Sequence, residues 1–240
     1  MIASDRVPFT AQNVNQQFSM LGDVLLINDL HKSAAESIMH RVLAAKKEKE
    51  EEDPDYKYVV AISGESGAGK SELSHSLALL LKAQGIRVKV LHTDNYYLVP
   101  PLLRREWRIA NGLESVGINE YDWRLVNRNI RDFKEDRETI MPCIDIIPDQ
   151  IDRLITNFNK IHLLVIDGLY AINTQEVDLR VFIELTYHET KMSQLMRGKE
   201  PADEYRMQIL EREHINVQSL KPLADLLVNR NYEVVDAKSQ

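Results

Sequence analysis

The sequence has one cysteine, Cys143, in 240 residues. A lone thiol cannot close an internal disulfide, so the fold takes nothing from an oxidising compartment, and we read Cys143 as an inert core residue. Long apolar runs are also lacking; none approaches the ~20 residues needed to span a bilayer. The opening stretch MIASDRVPFTAQN has neither a basic start nor an apolar core, so it does not read as a secretory signal. Positive charge is in deficit, with 30 Lys+Arg against 37 Asp+Glu and a formal net charge of -7. Such a surface repels nucleic acid on average. The seven histidines show no metal-ligand spacing, which argues against a zinc site. These shortages lead us to expect a cytoplasmic enzyme or binding protein, with neither membrane nor nucleic acid as partner.

Glycine is scarce too, yet three of the nine lie within six positions, in GESGAGKS from Gly64 to Ser71. A β-branched run, YKYVVAIS (56–63), precedes this stretch and reads as a buried strand. A leucine-rich amphipathic helix follows, with Leu73, Leu77, Leu80 and Leu81 on one side. The pattern matches G-x-x-x-x-G-K-[ST], and chemistry accounts for each position. Glycines let successive N–H groups turn inward to form an anion nest, and the helix start adds its unpaired N–H groups and dipole. The cradle therefore comprises Gly64, Glu65, Ser66, Gly67, Ala68, Gly69, Lys70 and Ser71. Lys70 is placed to reach the outer phosphates of a nucleoside triphosphate, and the Ser71 hydroxyl to ligate Mg2+. No N-K-x-D stretch exists to read guanine, so ATP is the expected donor. His75, inside the helix, reads as an exposed spacer.

Beyond this motif the chain alternates strands and helical stretches, which indicates an α/β fold of the P-loop type. A mostly parallel sheet would carry helices on both faces. Strands are expected over 86–93, 140–147, 161–168 and 179–185, and one or two more over 224–235. Helices are expected over 124–135, 149–158 and 203–217. Ahead of this domain (56–240), residues 1–55 read as an arm with a helix from Ser33 to about Glu50, ended by the charged run KKEKEEEDPD. Such an extension suits a partner-binding or dimerising arm.

Two aspartates close apolar strands. Asp94 follows VKVLHT and Asp167 follows LLVI. In open α/β sheets those strand ends face the ligand crevice. Asp94 could take the proton of a hydroxyl nucleophile or hold hydrated Mg2+. Asp167 is the expected Mg2+-side partner of the cradle.

The three segments GESGAGKS, TDNYY and LLVIDGLYAI, in this order, resemble the uridine kinase and phosphoribulokinase group of P-loop kinases, which includes bacterial pantothenate kinases. The likeness covers residues 57–235. It implies transfer of the terminal phosphate of ATP to a small-molecule hydroxyl, with Asp94 as base or orienter and Tyr97 as the matching tyrosine. The family acid after the third strand is usually glutamate; here it is Asp167, a mild change. A mobile, arginine-bearing lid is implied near 196–206, with Arg197 as first candidate for the transferred phosphoryl and Lys199 and Arg206 behind it. Other departures are larger. Where uridine kinases carry F-D-H-P-x-x-F-D, VGINEYD (116–122) keeps only the last aspartate, Asp122. MPCIDIIPDQ (141–150) lacks the tyrosine and histidine that approach uracil, and Cys143, Ile144 and Ile146 occupy the neighbourhood.

Within NEYDW (119–123), Glu120 and Asp122 are candidates to bind acceptor hydroxyls, while Tyr121 and Trp123 suit a core equally well. Arg104, Arg105 and Arg108 around Trp107 read as a solvated helix face rather than an anion clamp. The principal reading is an ATP- and Mg2+-dependent kinase of a small alcohol. The alternatives are a regulatory ATP-binding module that transfers nothing and, less well supported by the acidic balance, a nucleic-acid-processing ATPase. A base aimed at an acceptor has no use in a pure sensor, so Asp94 favours the kinase.

Overall fold

The apolar strand β1 (Tyr58–Gly64) is buried along its whole length and forms the centre of the molecule. The computed structural model describes residues 25–145, 150–190 and 203–239. Around β1 lie β2 (Val88–His92), β5 (Leu163–Asp167), β6 (Leu179–Ile183), β7 (Leu226–Val228) and β8 (Val234–Asp236). Their order across the sheet is β2-β5-β1-β6-β7-β8, and every pairing is parallel except that of β7 with β8. β1 pairs with β5 on one side and β6 on the other, so the loop leaving β1 opens at the crevice where connections diverge.

Period-two alternation splits β1 between two cores. Tyr58, Val60 and Ile62 pack on one face with Leu73, Leu77 and Leu81 of α2 (Lys70–Ala83). Val59 and Ala61 pack on the other with Val126, Ile130 and Phe133 of α4 (Trp123–Lys134). Two further helices, α3 (Pro101–Asn111) and α5 (Glu204–Gln218), flank the C-terminal edge of the sheet.

The N-terminal helix α1 runs over Asp29–Glu52, longer than its apolar spacing suggests, because Asn28 and not Ser33 caps it. Asn28 accepts from the His31 amide while the His31 ring accepts from the Asn28 amide, a reciprocal box that fixes the start. Ala34, Ala35, Ile38, Met39 and Val42 enter the α2-side core, so this part of the expected arm is built into the domain. Arg41 also forks onto Asp236 at the end of β8 (3.1 and 3.0 Å).

The helix expected over 149–158 is instead a strand, β4 (Gln150–Asn157), antiparallel to β3 (Glu138–Asp145). The β-branched residues Ile151, Ile155 and Thr156 favour extended backbone here. Cross-strand pairs Ile140–Ile155 and Ile144–Ile151 supply the pairing that propensity alone underweights. Cys143 lies in this hairpin half-buried and outside any disulfide, less enclosed than the core position expected. No described helix is long and apolar enough to cross a membrane.

Candidate active site

The loop from Gly64 to Ser71 leaves β1 and enters α2 without a side-chain cap, so the first amides of α2 are left for a ligand. Gly67 and Gly69 adopt left-handed φ of 78° and 85°, as an inward-facing amide nest requires. The Lys70 ammonium folds back onto the Glu65 carbonyl at 2.9 Å. Glu65 is more than a spacer, because its buried carboxylate accepts from the Tyr187 amide (2.7 Å), His214 Nδ1 (2.7 Å) and the Gln218 amide. It thereby ties the loop to α5 and to the segment after β6. Thr190 adds a bond to the Ser66 carbonyl (2.9 Å). Beside these residues lies a cleft of about 430 Å³, lined by Thr186, His214, Gln218, Asn229 and Asn231 among others.

Asp167 closes β5 opposite His92 at the end of β2, and His92 Nδ1 donates to its Oδ1 at 2.6 Å. Burial on its own raises the Asp167 pKa; His92, Lys70 and the Ser71 hydroxyl outweigh it and hold the carboxyl below its usual range. Burial likewise lowers the His92 pKa, but Asp167 and then Asp94 more than reverse the shift. These mutual influences put Lys70, Ser71, Asp167, His92 and Asp94 in one neighbourhood. His75 is not the exposed spacer expected: it is half-buried, and burial and His92 both lower its pKa. Sequence reading also missed His92, although a histidine closing an apolar strand two positions before Asp94 was a visible signal.

Asp94 sits in the 3-10 turn Thr93–Tyr96 that follows β2. Its Oδ1 is buried without a hydrogen-bond partner among the described residues, as are Asp167 Oδ2 and Thr93 Oγ1. Thr93 presses against Gly168, where a Cβ would lie 1.7 Å from Thr93 Oγ1, so the two strand ends meet with no side chain between them. Tyr97 is buried; its hydroxyl accepts from Tyr121 and its ring lies under the Arg104 guanidinium, 3.4 Å from the centroid. Tyr170, also buried, leaves its hydroxyl unpartnered among the described residues, in the field of Glu213, Tyr97, Glu120 and Arg108.

The structure moves two expected acceptor ligands away from that role. Glu120 gives both carboxylate oxygens to Arg108 (2.6 and 2.9 Å), and one of them also to the Gly117 amide. Asp122 caps α4 through the Leu125 amide at 3.0 Å. Arg108 corrects the solvated-face expectation, since it is 4% exposed and also meets Glu213 at 3.3 Å. Of its companions, Arg105 does stand at the surface, paired with Asp203. Arg197 and Lys199, the first lid candidates, lie outside the described residues; Arg206 opens α5 near Glu213 (3.7 Å).

The group expected to accompany a triphosphate here is Mg2+. The cradle serine and a buried carboxylate with one oxygen unpartnered suit a cation that keeps several waters and shares phosphate oxygens. No group of three or more His, Cys, Asp or Glu that could hold a metal ion is found among the described residues.

A glycine-rich nest between the central strand and its helix, with acidic strand ends beside it, defines a P-loop nucleotide-binding fold of the kinase type. The model of the phosphoribulokinase / uridine kinase family matches residues 59–198, well over half of the chain, and the chain belongs to that family. It is similar in structure to a possible uridine kinase from Bacillus stearothermophilus (18% identity, 82% of this chain and 97% of that chain covered, TM-score 0.57). It is also similar to a phosphoribulokinase from Rhodobacter spheroides (12% identity, 72% and 70% covered, TM-score 0.57). A D-glycerate 3-kinase from Cryptococcus neoformans aligns over 87% of this chain and 98% of its own at 14% identity, with a TM-score of 0.54. Identities this low speak to the fold and not to the acceptor. No curated protein sequence matches the chain.

Proposed function

We propose that the protein transfers the γ-phosphoryl group of ATP to a hydroxyl of a small polar metabolite, with Asp94 as the base. The observation that carries this reading is a pair of buried carboxylate oxygens, Asp94 Oδ1 and Asp167 Oδ2, left unpartnered at strand ends beside the cradle. Burying such a group without a partner costs about 1–3 kcal/mol or more, which a ligand would recover. The acceptor hydroxyl gives its proton to Asp94 as its oxygen forms the new bond to phosphorus. The bond to the β-phosphate oxygen breaks and ADP departs with that electron pair. The nest amides and Lys70 hold the phosphates in line for the displacement. Mg2+, held by Ser71 and Asp167, would neutralise phosphate charge.

On the acceptor side the residues fitted to hydroxyls are Asp94, Tyr170 and Arg104, whose buried Nε is also unpartnered among the described residues. With Glu120 committed to Arg108, no acidic side chain in NEYDW is free on both oxygens to read a ribose. The reading is tested by incubating the protein with Mg-ATP and a panel of nucleosides, sugars, glycerate and pantothenate, following ADP release and phosphorylated product. Acceptor-dependent ADP release with a matching phosphomonoester supports it. ADP release that no acceptor stimulates contradicts it.

A further inference from the structure

Two residues outside the family-matched segment lie directly over the cradle. A Cβ placed on Gly69 would sit 2.2 Å from the Tyr232 hydroxyl oxygen and 2.6 Å from His31 Nε2. Tyr232 comes from the turn between β7 and β8, and His31 from the first turn of α1. The Tyr232 hydroxyl donates to the Ala68 carbonyl at 2.5 Å, and His31 Nε2 stands 3.2 Å from that same hydroxyl.

The bonds have only one consistent direction. The Asn28 amide donates to His31 Nδ1 (3.1 Å), so that nitrogen carries no proton. Nε2 then bears the ring hydrogen and donates to the Tyr232 oxygen. Tyr232 in turn spends its own hydrogen on Ala68. The two rings meet edge to face at 4.9 Å, which fixes their mutual orientation.

The consequence follows from peptide planarity. The Ala68 carbonyl and the Gly69 N–H belong to one trans peptide and point in opposite directions. Holding the carbonyl outward therefore aims the Gly69 N–H inward, at the phosphate. A flip of that peptide would instead turn a carbonyl oxygen toward the anion, and glycine, with its permissive backbone, is where a flip meets least resistance. Tyr232 itself takes a left-handed φ of 61°, a conformation that is strained for a non-glycine residue and persists when its surroundings hold it. Asn229 supplies that hold, accepting from the amides of Asn231 (2.9 Å) and Glu233 (3.0 Å), while its carbonyl accepts from the Tyr232 amide (2.9 Å).

We infer that Tyr232 and His31 are positioning residues that lock the Ala68–Gly69 peptide in its phosphate-binding orientation, so that the N-terminal helix forms a working part of the cradle. The inference rests on Gly64–Ser71 binding a triphosphate. Calorimetry with the full chain tests it, using ATP and inorganic tripolyphosphate as ligands. Tyr232→Phe keeps the ring and loses the donor; it is expected to weaken both ligands by about fivefold to tenfold, the worth of one neutral hydrogen bond. His31→Ala should weaken them less, and His31→Gln, which keeps an N–H donor at similar reach, should restore wild-type affinity. The KM for ATP should rise in Tyr232→Phe while kcat at saturating ATP stays within error, a split that a general packing defect would not produce. Equal triphosphate affinity in wild type and Tyr232→Phe would overturn the lock and leave the kinase reading standing. Failure of the wild type to bind either ligand would overturn both.

Discussion

His92 donates from Nδ1 to Asp167 Oδ1 at 2.6 Å, leaving Asp167 Oδ2 buried and without a partner among the described residues. The histidine thus fixes which oxygen of the carboxylate faces the cradle. Partners that orient a metal-binding carboxylate typically matter by about 10- to 100-fold in metal affinity. His92→Ala should therefore raise the Mg2+ concentration needed for half-maximal ADP release by about that factor, and Asp167→Asn should raise it further. A Mg2+ titration of the acceptor-dependent rate checks both. An unchanged midpoint in Asp167→Asn would remove this residue from the metal site.

Arg108, Glu120 and Glu213 form a buried ion cluster that joins α3, the turn before α4, and α5. Removing the cation alone leaves two carboxylates buried beside each other. Breaking such a cluster typically costs about 3–5 kcal/mol. Arg108→Ala should lose stability of that order in urea unfolding, whereas replacing the Arg108–Glu120 pair together by Met and Gln should lose less. If the single variant is as stable as wild type, the cluster is not the brace described.

Base recognition is the weak point of any assignment to uridine. A site that hydrogen-bonds a base rejects analogues by large factors, while apolar walls discriminate by about 1–3 kcal/mol. The hairpin meets the turn that carries Asp94 through the Ile144 amide, which donates to Asn95 Oδ1 at 3.0 Å, and no uracil-reading tyrosine or histidine stands in MPCIDIIPDQ. Specificity constants should therefore show uridine and cytidine within about a hundredfold of each other, and neither far above the best non-nucleoside alcohol. A strong preference for uridine over every other acceptor would count against this account.

The parts of the site that depend on local sequence were legible in it. Gly67 and Gly69 announce left-handed backbone, and Asp94 and Asp167 announce strand ends because each closes an apolar run. What could not be read depends on pairs distant in sequence. Arg108 looks solvated until Glu120 and Glu213 are brought to it, and the sequence puts Glu65 in the cradle without showing that α5 delivers His214 and Gln218 to its carboxylate. Strand β4 was hidden for a similar reason: its pairing with β3, which matches Ile140 to Ile155 and Ile144 to Ile151, is not visible in its local sequence. Residues 29–52 looked separable because their apolar stripe is short, yet the small residues Ala34 and Ala35 let α1 lie close against the core.

The most direct test of the central claim measures ATP affinity and acceptor phosphorylation side by side in wild type, Lys70→Ala and Asp94→Asn, with folding checked by circular dichroism. Lys70→Ala should lose both ATP affinity and transfer. Asp94→Asn should bind ATP as wild type does and lose transfer by about 10²- to 10⁴-fold, the usual contribution of a positioned base. Full transfer by Asp94→Asn to the same acceptor, at wild-type rate, would contradict the account.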